Sequence, residues 1–303
     1  MKAVQINKYG EVDVLQVNNN AEKPIISEGQ VLIEVYAASI NPFDFAVLKG
    51  YVQKFISQGF PLTMGGDFSG KKVDTGEEVY GTAIILGGGS GSLAEFARVS
   101  TDKIAVKPKN ISFEEAASLP LVGSSAIQAL EDHINLQPGQ KILIHGGAGG
   151  IGSLAIQLAK LKGAYVATTV SNKDKEYVKS LGADETTDYK NERFESLINN
   201  YDAVFDTVGG EVVEKSFLVL KAGGVLVSMK GQPDEELAKK YGVTAIGQNS
   251  KTNTQHLDRL RELVEQGKIK PQIDKIFPLD QAKEAFLYKE KSHPRGKVVI
   301  KVK

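Results

Sequence analysis

The chain has 303 residues, 41% of them hydrophobic, which is enough for two domains that each bury an apolar core. Basic and acidic residues number 37 each, so the overall charge favours neither nucleic acid nor an anionic membrane. Cysteine is absent, which excludes disulfides, thiolate metal ligands and a cysteine nucleophile. No run is apolar enough for a membrane helix, and MKAVQINKYG lacks a signal-peptide core, so we expect a soluble, cytoplasmic protein.

Short strand-like runs dominate residues 1–110. Runs of β-branched and aromatic residues alternate with turn residues, and the predicted strands cover residues 31–38, 71–73, 78–83 and 94–99. This pattern predicts a mostly antiparallel β domain. The GGGSG stretch at residues 87–91 predicts a flexible hairpin tip and not a phosphate loop, because no helix start follows it.

Strands and helices alternate from residue 112 onward. The predicted strands cover residues 142–145, 165–170, 203–208 and 224–229. The predicted helices cover residues 150–162, 173–181, 211–220 and 252–266. Regular β-α-β alternation predicts a parallel, doubly wound sheet. Residues 273–277 and 297–302 return to β character, and we expect the last strand to rejoin the first domain.

The sequence GAGGIG follows a predicted strand directly and has the G-x-G-x-x-G spacing of a dinucleotide-binding turn. It opens a helix with one apolar face, formed by Ile151, Leu154, Ala155, Leu158 and Leu161. Glycines there permit a tight turn, a close approach of N–H groups to a pyrophosphate, and packing of helix on strand. The predicted pyrophosphate site comprises Gly147, Ala148, Gly149, Gly150, Ile151 and Gly152. The alternative is a strand-to-helix turn that binds nothing.

The strand predicted at residues 165–170 ends without the acidic residue that an NAD-selecting site tends to place there. Its tip is Ser171, which can donate to a phosphate without repelling it, and Lys173 and Lys175 follow. Asp174 offsets part of their positive charge. The pattern favours a ribose 2′-phosphate and therefore NADPH over NADH. The alternative is a pair of solvated lysines at a helix start.

Five motifs in order carry a resemblance to a known family. They are SINPFD at residues 39–44, MGGDFSG at 64–70, LPLVGSSAIQAL at 119–130, HGGAGGIG at 145–152 and RGKVVI at 295–300. With its N-terminal β domain, the chain resembles a medium-chain dehydrogenase/reductase over essentially its whole length. More narrowly, it resembles the zinc-free quinone oxidoreductase branch, which includes zeta-crystallin-like proteins and enone reductases.

The resemblance implies an α/β fold of two domains. A GroES-like, mostly antiparallel catalytic domain comprises residues 1–122 and 271–303. A Rossmann domain with a doubly wound parallel sheet binds NADP and comprises residues 123–270. Residues 242–247 (GVTAIG) look like an edge strand of that sheet. Such strands pair between subunits in this branch, so we also expect a homodimer.

No metal site is expected. In zinc-dependent alcohol dehydrogenases of the same superfamily a cysteine and a histidine hold the catalytic metal, and by motif their positions correspond to Asn41 and Gly66. Neither residue can serve, and the four cysteines of the structural zinc lobe are also missing. The four histidines, His133, His145, His256 and His293, are too unevenly spaced to suggest a preformed site. His145, at the end of a buried strand, is expected to be packed or backbone-bonded and not a base.

Metal-free hydride transfer limits the choice of acceptor. Without zinc, a simple ketone needs another Lewis acid or a strong proton donor, whereas a quinone or an enone accepts hydride to give a delocalised anion that hydrogen bonds stabilise. The sequence therefore predicts an NADPH-dependent, zinc-independent quinone oxidoreductase. The alternative enzyme reduces the activated double bond of an enone or alkenal. An alternative of a different class is an NADPH-binding structural, sensor or RNA-binding protein without turnover.

The resemblance gives three candidate catalytic residues. Asn41 lies near the cofactor, and its amide can both donate and accept hydrogen bonds; the alternative is an Asx turn before Pro42. Asp44 is expected to orient this loop more than to catalyse. Tyr51 is offset from the tyrosine that looks like the proton donor in related enoyl-thioester reductases, and the alternative is an aromatic packed on a cleft wall.

The resemblance also extends the cofactor site. Ser124 and Ser125, at a predicted helix start, are candidates to bond the nicotinamide amide or the diphosphate, although both are equally typical of helix caps. Lys175 and Tyr189 would flank the adenosine ribose and its phosphate. Arg295 could reach the same side.

Overall fold

The computed structural model describes all residues from 1 to 303. Sixteen strands form three sheets: β1 Ala3–Ile6, β2 Gln16–Asn18, β3 Gln30–Ile40, β4 Leu62–Thr63, β5 Asp67–Lys72, β6 Glu78–Thr82, β7 Phe96–Ser100, β8 Ile104–Val106, β9 Lys141–His145, β10 Tyr165–Val170, β11 Glu185–Asp188, β12 Tyr201–Asp206, β13 Leu220–Ser228, β14 Thr244–Gly247, β15 Ile273–Pro278 and β16 Lys297–Lys301.

Ten α-helices accompany the strands: α1 Pro42–Leu48, α2 Phe113–Ala117, α3 Pro120–Ile127, α4 Gly150–Leu161, α5 Lys175–Ser180, α6 Phe194–Leu197, α7 Glu211–Ser216, α8 Glu235–Tyr241, α9 Thr254–Glu265 and α10 Ala282–Lys291. Helix α3 continues into a π-helical segment, Gln128–His133. None of the helices is both long and apolar enough to span a bilayer.

The chain divides into two compact units. The first unit comprises Met1–Leu121, Thr252–Gly267 and Pro271–Lys303, and the second comprises Val122–Lys251 and Lys268–Lys270. Helix α9, which the sequence placed with the dinucleotide domain, falls in the first unit, where the Tyr80 hydroxyl donates to the Leu257 carbonyl (2.5 Å). Compactness alone does not define a functional domain, so the predicted domain boundaries stay a prediction.

The first unit is built on a seven-stranded sheet with strand order β15-β16-β3-β5-β6-β8, and β7 also pairs with β3. All of its pairings are antiparallel except that of β15 with β16. The predicted antiparallel β domain and the return of the last strand to it are therefore confirmed. Strand β3 changes partner along its length: Gln30–Glu34 pairs with β7 and Ala37–Ile40 with β16.

Three strand ends meet at one end of this sheet. Strand β3 ends at Ile40, where β16 and β5 both begin, because Val298 pairs with Ile40 and Asp67 pairs with Ser39. Antiparallel pairing thus places the first residues of β16 and β5, Lys297 and Asp67, beside the residue that follows β3. This end of the sheet therefore carries two buried charged side chains, Lys297 and Asp67.

The second unit holds a six-stranded, all-parallel sheet with strand order β11-β10-β9-β12-β13-β14. Counted from β9, this is the 3-2-1-4-5-6 order of the Rossmann fold, so the predicted doubly wound sheet is confirmed. The central strand β9 is apolar throughout its middle, and Ile142, Leu143 and Ile144 are fully buried. The order reverses at the carboxyl end of β9, where ligands of such sheets bind.

Helix α4 covers this sheet with a slightly different face from the predicted one. Leu154, Ala155 and Leu158 are buried as expected, and Ile156 joins them. Leu161, predicted on the same face, is 42% exposed because it is the last residue of the helix.

The GGGSG stretch is not a hairpin tip. Strand β7, which follows it, pairs with β3 and not with β6, which precedes it. A Cβ at Gly89 would lie 2.1 Å from the Ala83 carbonyl oxygen, and one at Gly91 would lie 2.2 Å from that of Thr63. These glycines therefore permit close packing of backbone on backbone, which a sequence pattern does not distinguish from flexibility.

Candidate dinucleotide site and buried polar cluster

The glycine turn, residues 146–152, joins the central strand β9 to helix α4. Its left-handed residue is Gly146 (φ 75°), so this glycine makes the tight turn that the sequence assigned to Gly147 and Gly149. A Cβ at Gly147 would lie 2.1 Å from Thr168 Oγ1, and one at Gly152 would lie 2.3 Å from the Gly146 carbonyl oxygen. Packing inside the second unit therefore requires glycine at both positions.

Packing inside the second unit does not require glycine at position 149. Gly149 caps helix α4 with φ −75°, which any residue adopts, and a Cβ there would meet nothing closer than 3.4 Å. No side chain caps this helix, and the first N–H groups, those of Gly150, Ile151 and Gly152, have no acceptor within it. Free N–H groups at the positive end of a 12-residue helix fit an anion, and a missing Cβ lets it come close.

The predicted 2′-phosphate partners already have carboxylate partners. Ser171 Oγ donates to Asp174 Oδ2 (2.5 Å), and Lys175 Nζ lies 3.3 Å from Glu192 Oε2. The hydrogen bond from the Asp188 N–H lowers the pKa of the Glu192 carboxyl most, and the hydrogen bond from Lys175 lowers it further. Sequence reasoning noticed Asp174 but missed Glu192, because it lies 17 residues beyond Lys175 and reaches it only through the fold.

Tyr189 follows strand β11 directly and is 55% exposed, so its ring is open to a ligand of the second unit. Arg295 belongs to the first unit, where its backbone N–H donates to Asp274 Oδ1 (3.1 Å). The structure therefore places Lys175 and Tyr189 in one unit and Arg295 in the other.

Ser124 and Ser125 lie inside helix α3 and are fully buried, so the interpretation of either residue as a helix cap is wrong. Ser125 Oγ lies 2.6 Å from Ser250 Oγ, and Gln248 Nε2 donates to the Ser125 carbonyl (3.0 Å). Two buried atoms here, Ser124 Oγ and Gln248 Oε1, have no hydrogen-bond partner. Such atoms are rare in folded proteins, and they fit a polar ligand group that would complete them. Sequence reasoning missed Gln248, which carries no motif.

Asn41, Asp44, Asp67 and Lys297 form the buried polar cluster of the first unit. All four are at most 5% exposed: Asn41 3%, Asp44 3%, Asp67 1% and Lys297 3%. The Asn41 backbone N–H donates to Asp44 Oδ2 (2.6 Å), the reciprocal half of a capping box at the start of α1. Asn41 Nδ2 donates to Asp67 Oδ2 (2.8 Å), and Lys297 Nζ donates to Asn41 Oδ1. The two predicted residues thus contact two that the sequence did not single out.

Burial sets the proton affinities in this cluster. It raises the pKa of Asp44 to about 7 against the opposing effects of the Asn41 N–H and the Lys297 charge. Burial also raises the pKa of Asp67 and lowers that of Lys297, and the charge of each opposes the shift of the other. One lysine thus faces two carboxyl groups, and Asp44 exchanges its proton near neutral pH.

Tyr51 is not part of this cluster. It follows the left-handed Gly50 just beyond α1, and its side chain is 77% exposed. Its proposed role as proton donor stays a prediction. The alternative, an aromatic residue packed on a wall, does not describe it, since no other part of the first unit covers the ring.

His145 is buried in the second unit and bonded to two hydroxyls. Its Nδ1 lies 3.0 Å from Thr169 Oγ1, and its Nε2 lies 3.0 Å from Ser216 Oγ, which itself donates to the Val212 carbonyl. Burial lowers the pKa of this histidine to about 4. A neutral imidazole held at both nitrogens is a packing residue, as expected, although its partners are side chains and not backbone.

Models of two protein families match the chain. That of the alcohol dehydrogenase GroES-like domain matches residues 27–109, and that of a zinc-binding dehydrogenase matches residues 181–300. A 2-methylene-furan-3-one reductase of Solanum lycopersicum is 41% identical over 99% of this chain and 79% of its own. A chloroplastic NADPH-dependent alkenal/one oxidoreductase of Arabidopsis thaliana is 39% identical, with the same coverage of 99% and 79%.

Among solved structures, the quinone oxidoreductase from Coxiella burnetii superposes with a TM-score of 0.91 at 36% identity, covering 100% of this chain and 99% of that one. The chain belongs to the medium-chain dehydrogenase/reductase family. Within this family its relatives place it in the quinone oxidoreductase branch, as its motifs suggested.

The zinc that one family model names does not fit the residues of this family member. No three His, Cys, Asp or Glu side chains come together in a way that could hold a metal ion. The two acidic side chains nearest to Asn41 are bonded to it and face Lys297, whose positive charge opposes a cation. Zinc independence nevertheless stays a prediction.

We predict that Gly149→Ala weakens NADPH binding without affecting folding, whereas Gly152→Ala lowers the stability of the fold. Gly149→Ala should fold normally and weaken NADPH binding by about 10-fold or more, because the new methyl group faces the approaching pyrophosphate. Gly152→Ala should lower the free energy of unfolding by about 2 kcal/mol, because its Cβ meets a backbone carbonyl. Fluorescence titration and thermal unfolding measure the two effects. Gly59→Ala, where a Cβ meets nothing within 4 Å, is the control.

A Gly149→Ala protein with wild-type affinity for NADPH would show that the anion does not approach this residue.

We predict that Asp44→Asn flattens the pH dependence of stability. Because the folded carboxyl has a pKa of about 7 against 3.8 when unfolded, the folded state holds a proton that the unfolded chain has lost, and wild-type stability falls as pH rises through that window. The variant, whose amide still accepts from the Asn41 N–H, should gain about 1 to 3 kcal/mol over wild type between about pH 5 and about pH 8. Denaturant unfolding at each pH measures this gain.

Asp102→Asn is the control for this comparison, since its carboxyl is exposed and paired only with Lys103. Lys297 and Asp67 face the same carboxyl and titrate in both proteins. A constant difference between Asp44→Asn and wild type at every pH would contradict the raised pKa of Asp44.

Proposed function

We propose that this protein is an NADPH-dependent, zinc-independent reductase that transfers hydride to a quinone, or alternatively to the activated double bond of an enone or alkenal. The observation that carries the proposal is the uncapped amino end of α4, with glycine at 149, at the switch point of the sheet. Family membership supports the chemistry. The relatives at 41% and 39% identity act on an enone or alkenal by name, which favours the second acceptor, and the Coxiella structure is a quinone oxidoreductase.

The residues of the second unit bind the cofactor in this proposal. The N–H groups of Gly150–Gly152 hold the pyrophosphate, with Gly147, Ala148 and Gly149 forming the turn around it. Ser124 Oγ and Gln248 Oε1, which have no hydrogen-bond partner, lie beside Ser125 and are proposed to bond the amide group of the nicotinamide. When bound, NADPH supplies the hydride.

The first unit offers a hydrogen-bond donor for the acceptor. Hydride addition to a quinone or enone leaves negative charge on oxygen, which a fixed N–H can stabilise. Asn41 is the proposed donor, because its side-chain amide is buried and bonded to two neighbours of the buried polar cluster, Asp67 and Lys297. Asp44 holds the backbone of Asn41, in keeping with the predicted orienting role, and Tyr51 remains the proposed proton donor.

The selection of NADPH depends on an exchange of partners. Lys175 pairs with Glu192, and Ser171 with Asp174, so a 2′-phosphate would compete with these carboxylates for both groups. A doubly charged phosphate with three acceptor oxygens attracts an ammonium more strongly than a single carboxylate does. Tyr189 is exposed beside them, and Arg295 is the further candidate contact.

We predict that substitutions of Lys175 and of its partner Glu192 change the affinity for NADPH in opposite directions. Lys175→Ala should weaken NADPH binding by about 10-fold and leave NADH binding unchanged, because only NADPH carries the 2′-phosphate. Glu192→Gln should tighten NADPH binding by about 3-fold, since the side chain that competes with the 2′-phosphate for Lys175 loses its charge. The glutamine oxygen can still accept the hydrogen bond from the Asp188 N–H. Titrations with both dinucleotides at two salt concentrations measure this. If Lys175→Ala weakened the binding of NADH and of NADPH equally, Lys175 would not contact the 2′-phosphate.

Turnover tests the proposed function directly. With a quinone or an enone present, the wild-type protein should consume NADPH, followed as loss of its near-ultraviolet absorbance, and chelator-treated protein should retain the rate. NADPH binding without turnover on either acceptor would favour the alternative class, a structural, sensor or RNA-binding protein. Loss of activity on chelation that zinc restores would contradict zinc independence.

A homodimer and a cytoplasmic location complete the proposal. Strand β14 is the edge of the parallel sheet, and an edge strand presents unpaired N–H and C=O groups to a second copy. Light scattering that gives the mass of a monomer would refute the dimer. One relative is chloroplastic, so the location is best checked by fractionation. The balanced charge offers nucleic acid and membranes no general attraction.

A further inference from the structure

The amide of Asn41 is held at both of its ends. Lys297 Nζ donates to the amide oxygen, and the amide nitrogen donates to Asp67 Oδ2 at 2.8 Å. An ammonium can only donate and an ionised carboxylate can only accept, so the orientation of this amide is determined by its partners. Because an amide nitrogen carries two hydrogens, one N–H of Asn41 remains without a protein acceptor.

Lys297 is surrounded by acceptors. Its Nζ also donates to the Ile40 carbonyl (3.1 Å) and lies 3.9 Å from Asp67 Oδ2. A neutral amine would turn its lone pair toward one of these oxygens, whereas an ammonium offers hydrogen to all three, so the contacts fit the charged form. The antiparallel register places it there, since Lys297 begins β16 beside the end of β3.

Stability alone does not account for a buried ion pair at this position. Taking an ammonium and a carboxylate out of water costs several kcal/mol per ion, and apolar side chains of similar volume often serve a fold as well or better. Strands β16, β3 and β5 are already joined by their own ladders, with fully buried Val298, Val299 and Ile300. The pair therefore calls for a role beyond joining strands.

We propose that Lys297 is a positioning residue for the reductase: together with Asp67 it fixes and polarises the Asn41 amide, so that the remaining N–H is a stronger donor to the oxygen of the acceptor. A cation at the amide oxygen and a carboxylate at one N–H displace the amide electrons in the same direction, and a low local dielectric strengthens the effect. This inference rests on the proposed function and on Asn41 as its donor.

The electron balance of the step is simple. Hydride from NADPH bonds to the β carbon of an enone or to one carbonyl oxygen of a quinone, the π electrons move to the enone oxygen or to the other quinone oxygen, and the cofactor leaves as NADP⁺. Asn41 donates a hydrogen bond to that oxygen but transfers no proton, and the oxygen or carbon later takes its proton from the proposed donor Tyr51, which water then reprotonates. Lys297 keeps its proton throughout and never touches the acceptor.

The two acceptor classes should depend differently on Lys297. An enolate, formed from an enone, is a more basic oxyanion than the anion of a hydroquinone, and a more basic anion gains more from a strong donor. Loss of polarisation should therefore slow enone reduction more than quinone reduction. A purely structural role would slow both alike.

The test compares paired variants, because removing Lys297 alone would leave the Asp67 charge buried without a partner. Lys297→Met/Asp67→Asn removes both charges, and Lys297→Gln/Asp67→Asn removes the charges but leaves an N–H for Asn41. Lys107→Met is the matched control: Lys107 is another buried lysine of the first unit, and its Nζ donates to the carbonyls of Pro108 and Ile111. Each protein is assayed for NADPH affinity, thermal unfolding, and kcat with one enone and one quinone.

We expect the Met variant to bind NADPH as wild type does and to lose about 100-fold in kcat with the enone but about 10-fold or less with the quinone. The Gln variant should recover part of the enone rate, and Lys107→Met should keep the wild-type ratio of the two rates. If the Met variant does not fold, the Gln variant carries the same comparison of acceptors.

Equal losses on both acceptors, or no loss, in a folded variant would overturn the role of Lys297. Wild-type protein that binds NADPH but reduces neither acceptor would instead overturn the proposed function itself.

Discussion

The turn between β9 and α4 is the constraint on which the dinucleotide site depends. Its glycines bring the helix so close to the central strand that a single Cβ at Gly147 or Gly152 would overlap a neighbouring atom. That approach aims the free N–H groups of α4 at the switch point of the parallel sheet. Gly149, which the fold itself does not require, marks the side that is left for an anion.

In the first unit, the register of antiparallel strands brings the polar side chains of the buried polar cluster together. The ends of β3, β5 and β16 bring an amide, two carboxyls and one ammonium together in an apolar core. Each polar group there is bonded to another, which lets them be buried and fixes the orientation of the one amide with an N–H to spare. At this point of the chain the amide of Asn41 is held by Lys297 and Asp67.

Sequence patterns predicted the regular parts well. Strand β10 lies where it was predicted, and β9 and α4 within a residue, because buried parallel strands are continuously apolar and the glycine turn punctuates them. Neither the bond of Lys297 to Asn41, 256 residues apart, nor the pairing of Lys175 with Glu192 was visible, since each depends on register and topology. Ser124 and Ser125 were placed at the start of a helix and not inside it, because a helix interior that buries hydroxyls leaves no periodic signal. The resemblance to a family supplied Asn41, which composition could not.

The most direct test of this account is a crystal structure of the protein with NADPH. We expect pyrophosphate oxygens about 3 Å from the backbone nitrogens of Gly150–Gly152 and the 2′-phosphate within reach of Lys175. A dinucleotide bound elsewhere, or one whose phosphates avoid the amino end of α4, would contradict it.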